Sequence, residues 1–226
     1  MLPIPDDEVL GCFGTVARLI KEGANANILI LGEGVTSRSF QSELDYVGQK
    51  TRTDEALIEL RRQATEANKL IGIELPIFIH DLPDNRFDSI PLLKITKTIE
   101  KMIDTIKPNI IFSHFRNDLN IDHRITYQAV ITATRPMKDC PVREIYSFEI
   151  PSSTEWNFPI SFSPNVFFDV KDTLHYKIQA MQIYSGELRE YPHPRSQSGI
   201  TQLASLRGMQ SGYSLAEAFE TVRVLR

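Results

Sequence analysis

The sequence predicts an α/β fold of Rossmann-like type, a mostly parallel sheet flanked by helices, with a first strand missing or very short. Short apolar runs alternate with longer amphipathic runs, the pattern of βαβ units joined by right-handed crossovers. Glycine or an X-Pro step closes several of the amphipathic runs, as helix ends require. Charged clusters follow three successive apolar runs, at the strand ends where open α/β sheets bind ligands.

From the N-terminus, VLGCFGTVARLIKEG reads as a helix, with Asp6 or Asp7 as N-cap and Gly23 as its stop. NILILGEG, from Asn27, is a buried strand running into a loop. Residues 51–71 are rich in Ala, Leu, Glu and Arg and close on Gly72, so a helix is expected. LPIFIH is the next strand, 90–106 a helix ending before Lys107-Pro108, NIIFSH a third strand, and 122–134 a helix ended by Arg135-Pro136. EIYSFEI and NVFFDV read as later strands, and 174–188 and 215–225 as closing helices. Only Met1 to Ile4 precede the Pro5-Asp6-Asp7 turn, fewer than the about 5–6 residues of an ordinary strand. Either the chain starts on an edge element or a first strand lies upstream of Met1. No repeat, low-complexity tract or linker divides the chain, so residues 1–226 are expected to form one domain.

Composition narrows the function. With 42% hydrophobic and 24% charged residues the chain has the make-up of a globular protein. A net charge of −4 without a Lys/Arg cluster argues against nucleic acid as a partner. Cys12 and Cys140 lack metal or disulfide spacing and suit a reducing compartment. The N-terminus has no signal-peptide pattern. No apolar run approaches the roughly 20 residues of a membrane span. A cytoplasmic protein is expected.

Two clusters carry chemistry. Asp6 and Asp7 sit at a strand-to-helix turn, where adjacent side chains diverge, so one can bind a metal while the other serves as a base. By local sequence alone, capping and the helix dipole are the commoner explanation of an acidic pair there. HFRNDLNIDHR places His114, Asp118, Asn120, Asp122 and His123 across a loop and into a helix start. Mixed imidazole and carboxylate donors suit a catalytic Zn²⁺ with an open position, although an Asp-His pair before a helix is also commonly a cap with a surface histidine.

PDDEVLGCFGT resembles the signature of the PIG-L/LmbE-like metal-dependent de-N-acetylase family, in which a histidine precedes Pro-Asp-Asp-Glu and a glycine-rich turn follows. DLNIDHR is similar to the family's second metal motif. DLPDNRFD, EIYSFE, SSTEW, PNVF and YPHPRS resemble segments of the N-acetylglucosaminyl deacetylase type found in bacterial surface-glycan pathways, so the likeness covers nearly the whole chain. The resemblance implies a hydrolase that removes acetyl from an N-acetylated amino sugar, nucleotide- or lipid-linked, with Zn²⁺ or another divalent metal. It implies Asp7 and His123 as metal ligands and Asp6 as general base. Asn120 stands where some members carry a histidine, so acid or oxyanion duties pass to His193 or His114 as candidates and Asn120 is left to the substrate. Arg38, Asn85 and Arg86, at strand ends, are candidates for sugar hydroxyls or a phosphate; loop ion pairs would also account for them.

Two residues depart from the pattern. Ile4 stands where the family has its first metal-binding histidine, leaving two matched ligands where a catalytic zinc site normally has three. Phe13 replaces a glycine in the following turn, and its bulk is expected to crowd that backbone. A metal-deficient descendant that only binds a sugar or regulates is therefore the alternative. The lone GEG after the first strand does not extend to a dinucleotide-binding fingerprint.

Overall fold

A computed structural model of the chain describes residues 1–35 and 46–226. The elements run α1 Asp7–Lys21, β1 Leu29–Gly32, α2 Tyr46–Lys69, β2 Ile77–Leu82, α3 Leu92–Ile106, β3 Ile110–His114, α4 Ile121–Ala133, β4 Glu144–Phe148, β5 Val166–Asp169, α5 Leu174–Ile183, α6 Gln197–Ser211 and β6 Ala216–Val224. β1 pairs with β2, and β3 with β4, in parallel. β6 lies between β4 and β5 and is antiparallel to both.

The short N-terminal segment joins the two sheets. Leu2 forms a single parallel bridge to Ile30, its N–H donating to Leu29 O and its carbonyl accepting from Leu31 N–H, both at 2.9 Å. The amino group of Met1 donates to Phe112 O in β3 at 2.9 Å. A one-residue first strand thus lies between β1 and β3, not at an edge. Gly32 permits the close pass: a Cβ there would stand 2.8 Å from Pro3 O and 3.0 Å from Leu82 O.

Strand alternation sends side chains to opposite faces. Ile28 and Ile30 join Tyr146 and Phe148 in one apolar cluster, under α1, α2 and α5. Leu29 and Leu31 join Ile145 in the other, under α3 and α4. On α3 the inward stripe is Ile95, Ile99 and Ile103 at i, i+4 spacing. Truncating the wholly buried Ile99 to alanine would cost about 2–5 kcal/mol. Phe13 is wholly buried in the first cluster, so its bulk fills core instead of crowding the acidic turn.

Two expectations fail at the C-terminus. Residues 215–225 have the Ala, Glu and Leu content of a helix, yet β6 occupies 216–224, because pairing on both edges overrides local propensity. Helix α6 was not foreseen: it contains Gly199 and Gly208 and has no continuous apolar stripe. α5 ends at Ile183, short of the expected Leu188.

Candidate metal centre and active site

Asp6 occupies the N-cap position of α1, but its side chain makes no capping bond, and its backbone is left-handed at φ 92°. Few non-glycine residues adopt that conformation, and it is a common mark of functional turns. Its N–H donates to Glu8 Oε2 at 3.0 Å. Glu8 is held in turn by the Tyr184 hydroxyl at 2.6 Å and Asn68 Nδ2 at 3.2 Å. Burial pushes the Glu8 carboxyl up to about 7 against these bonds. The α1 start packs close to the end of β4, because Gly11 leaves room: a Cβ there would fall 2.4 Å from the Phe148 ring.

The acidic pair diverges. Asp6 Oδ2 meets Arg195 Nη1 at 2.9 Å. Asp7 Oδ2 faces His114 Nε2 at 3.4 Å and His123 Nε2 at 3.5 Å. His114 ends β3, on the same strand face as Phe112, which packs into the cluster beneath α1. His123 sits in the first turn of α4, its ring centroid 3.9 Å from that of His114. Behind it, His123 Nδ1 lies 2.9 Å from Asp118 Oδ1. Asp118 also accepts from the Ser153 and Thr154 hydroxyls and from the Asn120 N–H.

All of these acidic and imidazole groups are buried, and their electrostatics follow. Burial, with His123 nearby, drives His114 well below the usual histidine range, so it is neutral. Burial also opposes charge on His123, but Asp7 and Asp118 outweigh it and push it up to about 10. Burial would raise Asp118, yet the His123 ring and the two hydroxyls hold it below the ordinary carboxylate range. Burial, and Asp7 beside it, raise Asp6 against the pull of Arg195.

Asp7, His114 and His123 each offer a ligand atom, all within 4.8 Å of one another. Both oxygens of Asp7 and both ring nitrogens of His114 are buried without a hydrogen-bond partner. Such orphaned atoms are rare in folded proteins, and a cation held between Asp7 and His114 Nε2 would satisfy all of them but His114 Nδ1. Ligands about 2.0–2.1 Å from a tetrahedral Zn²⁺ stand about 3.3–3.4 Å from one another, close to the two separations from Asp7. The donor set fits a divalent metal, and His114 offers the third donor that Ile4 withholds.

Other expected residues lie elsewhere or do different work. The Asn120 side chain accepts from Asp122 N–H and caps α4. Its partner Asp122 accepts the backbone N–H groups of Asn85 and Phe87. The Asn85 side chain is exposed and turns to Asp84 at 3.3 Å, and Arg86 is exposed. His193 is outside the Asp7 cluster: its Nδ1 accepts from Arg195 N–H, and its ring meets the edge of Trp156. Arg38 lies outside the described residues. Asp118, expected only as one of the cluster's carboxylate donors, instead backs His123, and Arg195 carried no expectation although YPHPRS contains it.

The model of the GlcNAc-PI de-N-acetylase family matches residues 2–134, a span that carries Asp6, Asp7, His114 and His123. The chain belongs to the PIG-L family. A relative, "Uncharacterized deacetylase YaiS" of Escherichia coli K12, is 26% identical over 176 residues, covering 74% of this chain and 78% of its own. The fold is similar to N,N'-diacetylchitobiose deacetylase from Pyrococcus horikoshii, with TM-score 0.75 and 16% identity over 98% of this chain and 82% of that one. It is also similar to GalB, the 4-carboxy-2-hydroxymuconate hydratase from Pseudomonas putida KT2440, with TM-score 0.71 and 19% identity over 100% and 97%. One fold therefore carries deacetylation and hydration, and chemistry has to be argued from the site. Among the described residues no helix is long and apolar enough to cross a membrane.

Proposed function

We propose that this chain is a zinc-dependent N-deacetylase that hydrolyses the acetamide of an N-acetylated amino sugar, nucleotide- or lipid-linked, giving acetate and a free amine. The observation that carries this is the buried convergence of Asp7, His114 and His123 beside a free Asp6 carboxylate oxygen. Asp7, His114 and His123 would hold the metal. Bound there, Zn²⁺ supplies Lewis-acid polarisation of a carbonyl and lowers the pKa of water.

The chain's own groups do the rest. Asp6 takes the proton of the attacking water on Oδ1, while Oδ2 stays on Arg195. Its raised pKa suits that task, since a stronger base accepts the proton more readily near neutrality. Asp118 fixes the His123 ring so that Nε2 points at the metal position. Of the described residues that the sequence singled out, His193, on the neighbouring segment, and the exposed Asn85 and Arg86 would meet the departing amine and the sugar.

Asp6→Asn tests the assignment. The variant should retain Zn²⁺ and lose about 10²–10⁴-fold in turnover of an N-acetylated sugar such as N-acetylglucosamine. Equal deacetylation by variant and parent would remove Asp6 as base. A parent that holds Zn²⁺ but hydrolyses no N-acetylated sugar would favour a sugar-binding role.

A further inference from the structure

Arg195 lies between α5 and α6, 189 residues from Asp6 in sequence, yet its guanidinium reaches the candidate base. Nη1 donates to Asp6 Oδ2 at 2.9 Å and to Glu187 Oε2 at 3.4 Å. Nε donates to Ser152 Oγ at 2.8 Å and to Pro151 O at 3.3 Å. The next two residues of that loop, Ser153 and Thr154, give their hydroxyls to Asp118, the residue behind His123. One short stretch of chain is thereby bonded to both halves of the site: through Arg195 to Asp6, and through Asp118 to the histidine that faces Asp7.

Asp6 Oδ1 is left buried with no hydrogen-bond partner, while Oδ2 is taken by the guanidinium. A carboxylate held by one oxygen keeps a fixed plane, and its other oxygen has one direction in which to act. We propose that Arg195 is a positioning residue that aims Asp6 Oδ1 at the reacting water and, through Ser152, keeps the base in register with the metal-holding residues. This rests on Asp6 being the base. Lysine cannot replace it, because one ammonium cannot bond Ser152 and Asp6 in the fixed geometry of a planar fork.

The test compares Arg195→Gln and Arg195→Lys with the parent, all loaded with Zn²⁺. The readouts are metal content, kcat and KM on N-acetylglucosamine, and a crystal structure of each. Both variants should keep one Zn²⁺ per chain. They should lose on the order of 100-fold in kcat, the effect of a misplaced catalytic group, with KM little changed. In their crystals the Asp6 carboxylate should turn from its parental orientation while Asp7, His114 and His123 stay in place. An unmoved Asp6 carboxylate, or parental kcat in either variant, would overturn the proposal. So would loss of folding or of metal in both, which would make Arg195 structural. Should glutamine fail to fold, lysine, which keeps the charge, decides alone. A parent inactive on the sugar, with Asp6 displaced in the variant crystals, would defeat the deacetylase assignment and leave the positioning role standing.

Discussion

Replacing Asp118 by asparagine keeps the side-chain volume and removes the charge behind His123. In the parent, Asp118 accepts from Asn120 N–H and from the Ser153 and Thr154 hydroxyls, and its Oδ1 stands 2.9 Å from His123 Nδ1. The amide oxygen can take over the Oδ1 partners, but the NH₂ group cannot accept from Thr154, and every surviving bond loses the carboxylate's charge. Bonds to a charged group contribute about 1.5–3 kcal/mol against about 0.5–1.5 for neutral ones. A few such downgrades should cost the metal-free fold about 1–3 kcal/mol. The metal loses more selectively, because the His123 ring is no longer fixed by a carboxylate. Mutation of such a partner typically lowers metal affinity 10–100-fold, which is about 1.4–2.8 kcal/mol. Zn²⁺ titration in competition with a chromophoric chelator reads the second effect, and urea unfolding of the metal-free protein reads the first. Parental Zn²⁺ affinity in Asp118→Asn would refute the claim that Asp118 orients a ligand.

His114→Ala should lower Zn²⁺ affinity more than Asp118→Asn does, by at least about 100-fold, since it removes a donor and not its support. Adding Ile4→His to that variant should restore binding, and no loss in the single variant would show that His114 is not a ligand. The metal-free protein should lose stability as pH rises. His123 is raised to about 10 in the fold and lies near 6.5 when unfolded, so its contribution is full below the lower value and fades on the way to the upper. Across one pH unit between those two values the loss should be about 1 kcal/mol. It should be absent in His123→Asn, as measured by urea unfolding in the presence of a chelator. A flat profile in the parent would contradict the ion pairing drawn around His123.

The sequence made the N-terminal two thirds of the fold legible, because apolar periodicity and glycine or proline stops agree there. It misled at 215–225, where Leu, Ala and Glu have helical propensity but β6 is fixed by two neighbouring strands that no local window shows. Helix α6 escaped because it buries only Ile200, Ala204 and Gly208 and shows little contrast between its faces. At the site, Asp6 and Asp7 were legible as residues but not in direction. Only the left-handed backbone of Asp6, and its missing cap bond, show that the pair is not a simple cap. His114 was visible at a strand end. That it stands 3.4 Å from Asp7 depends on the crossing of α1 over β4, which brings together residues more than 100 apart in sequence. Arg195 was hidden for the same reason: its partner is 189 residues away.

The most direct test is the metal content of the purified protein after equilibration with Zn²⁺ and removal of the excess, with His114→Ala measured alongside. Retention of one Zn²⁺ per chain by the parent, and its loss from the variant, is the expected result. A parent that retains no metal would contradict the site built from Asp7, His114 and His123.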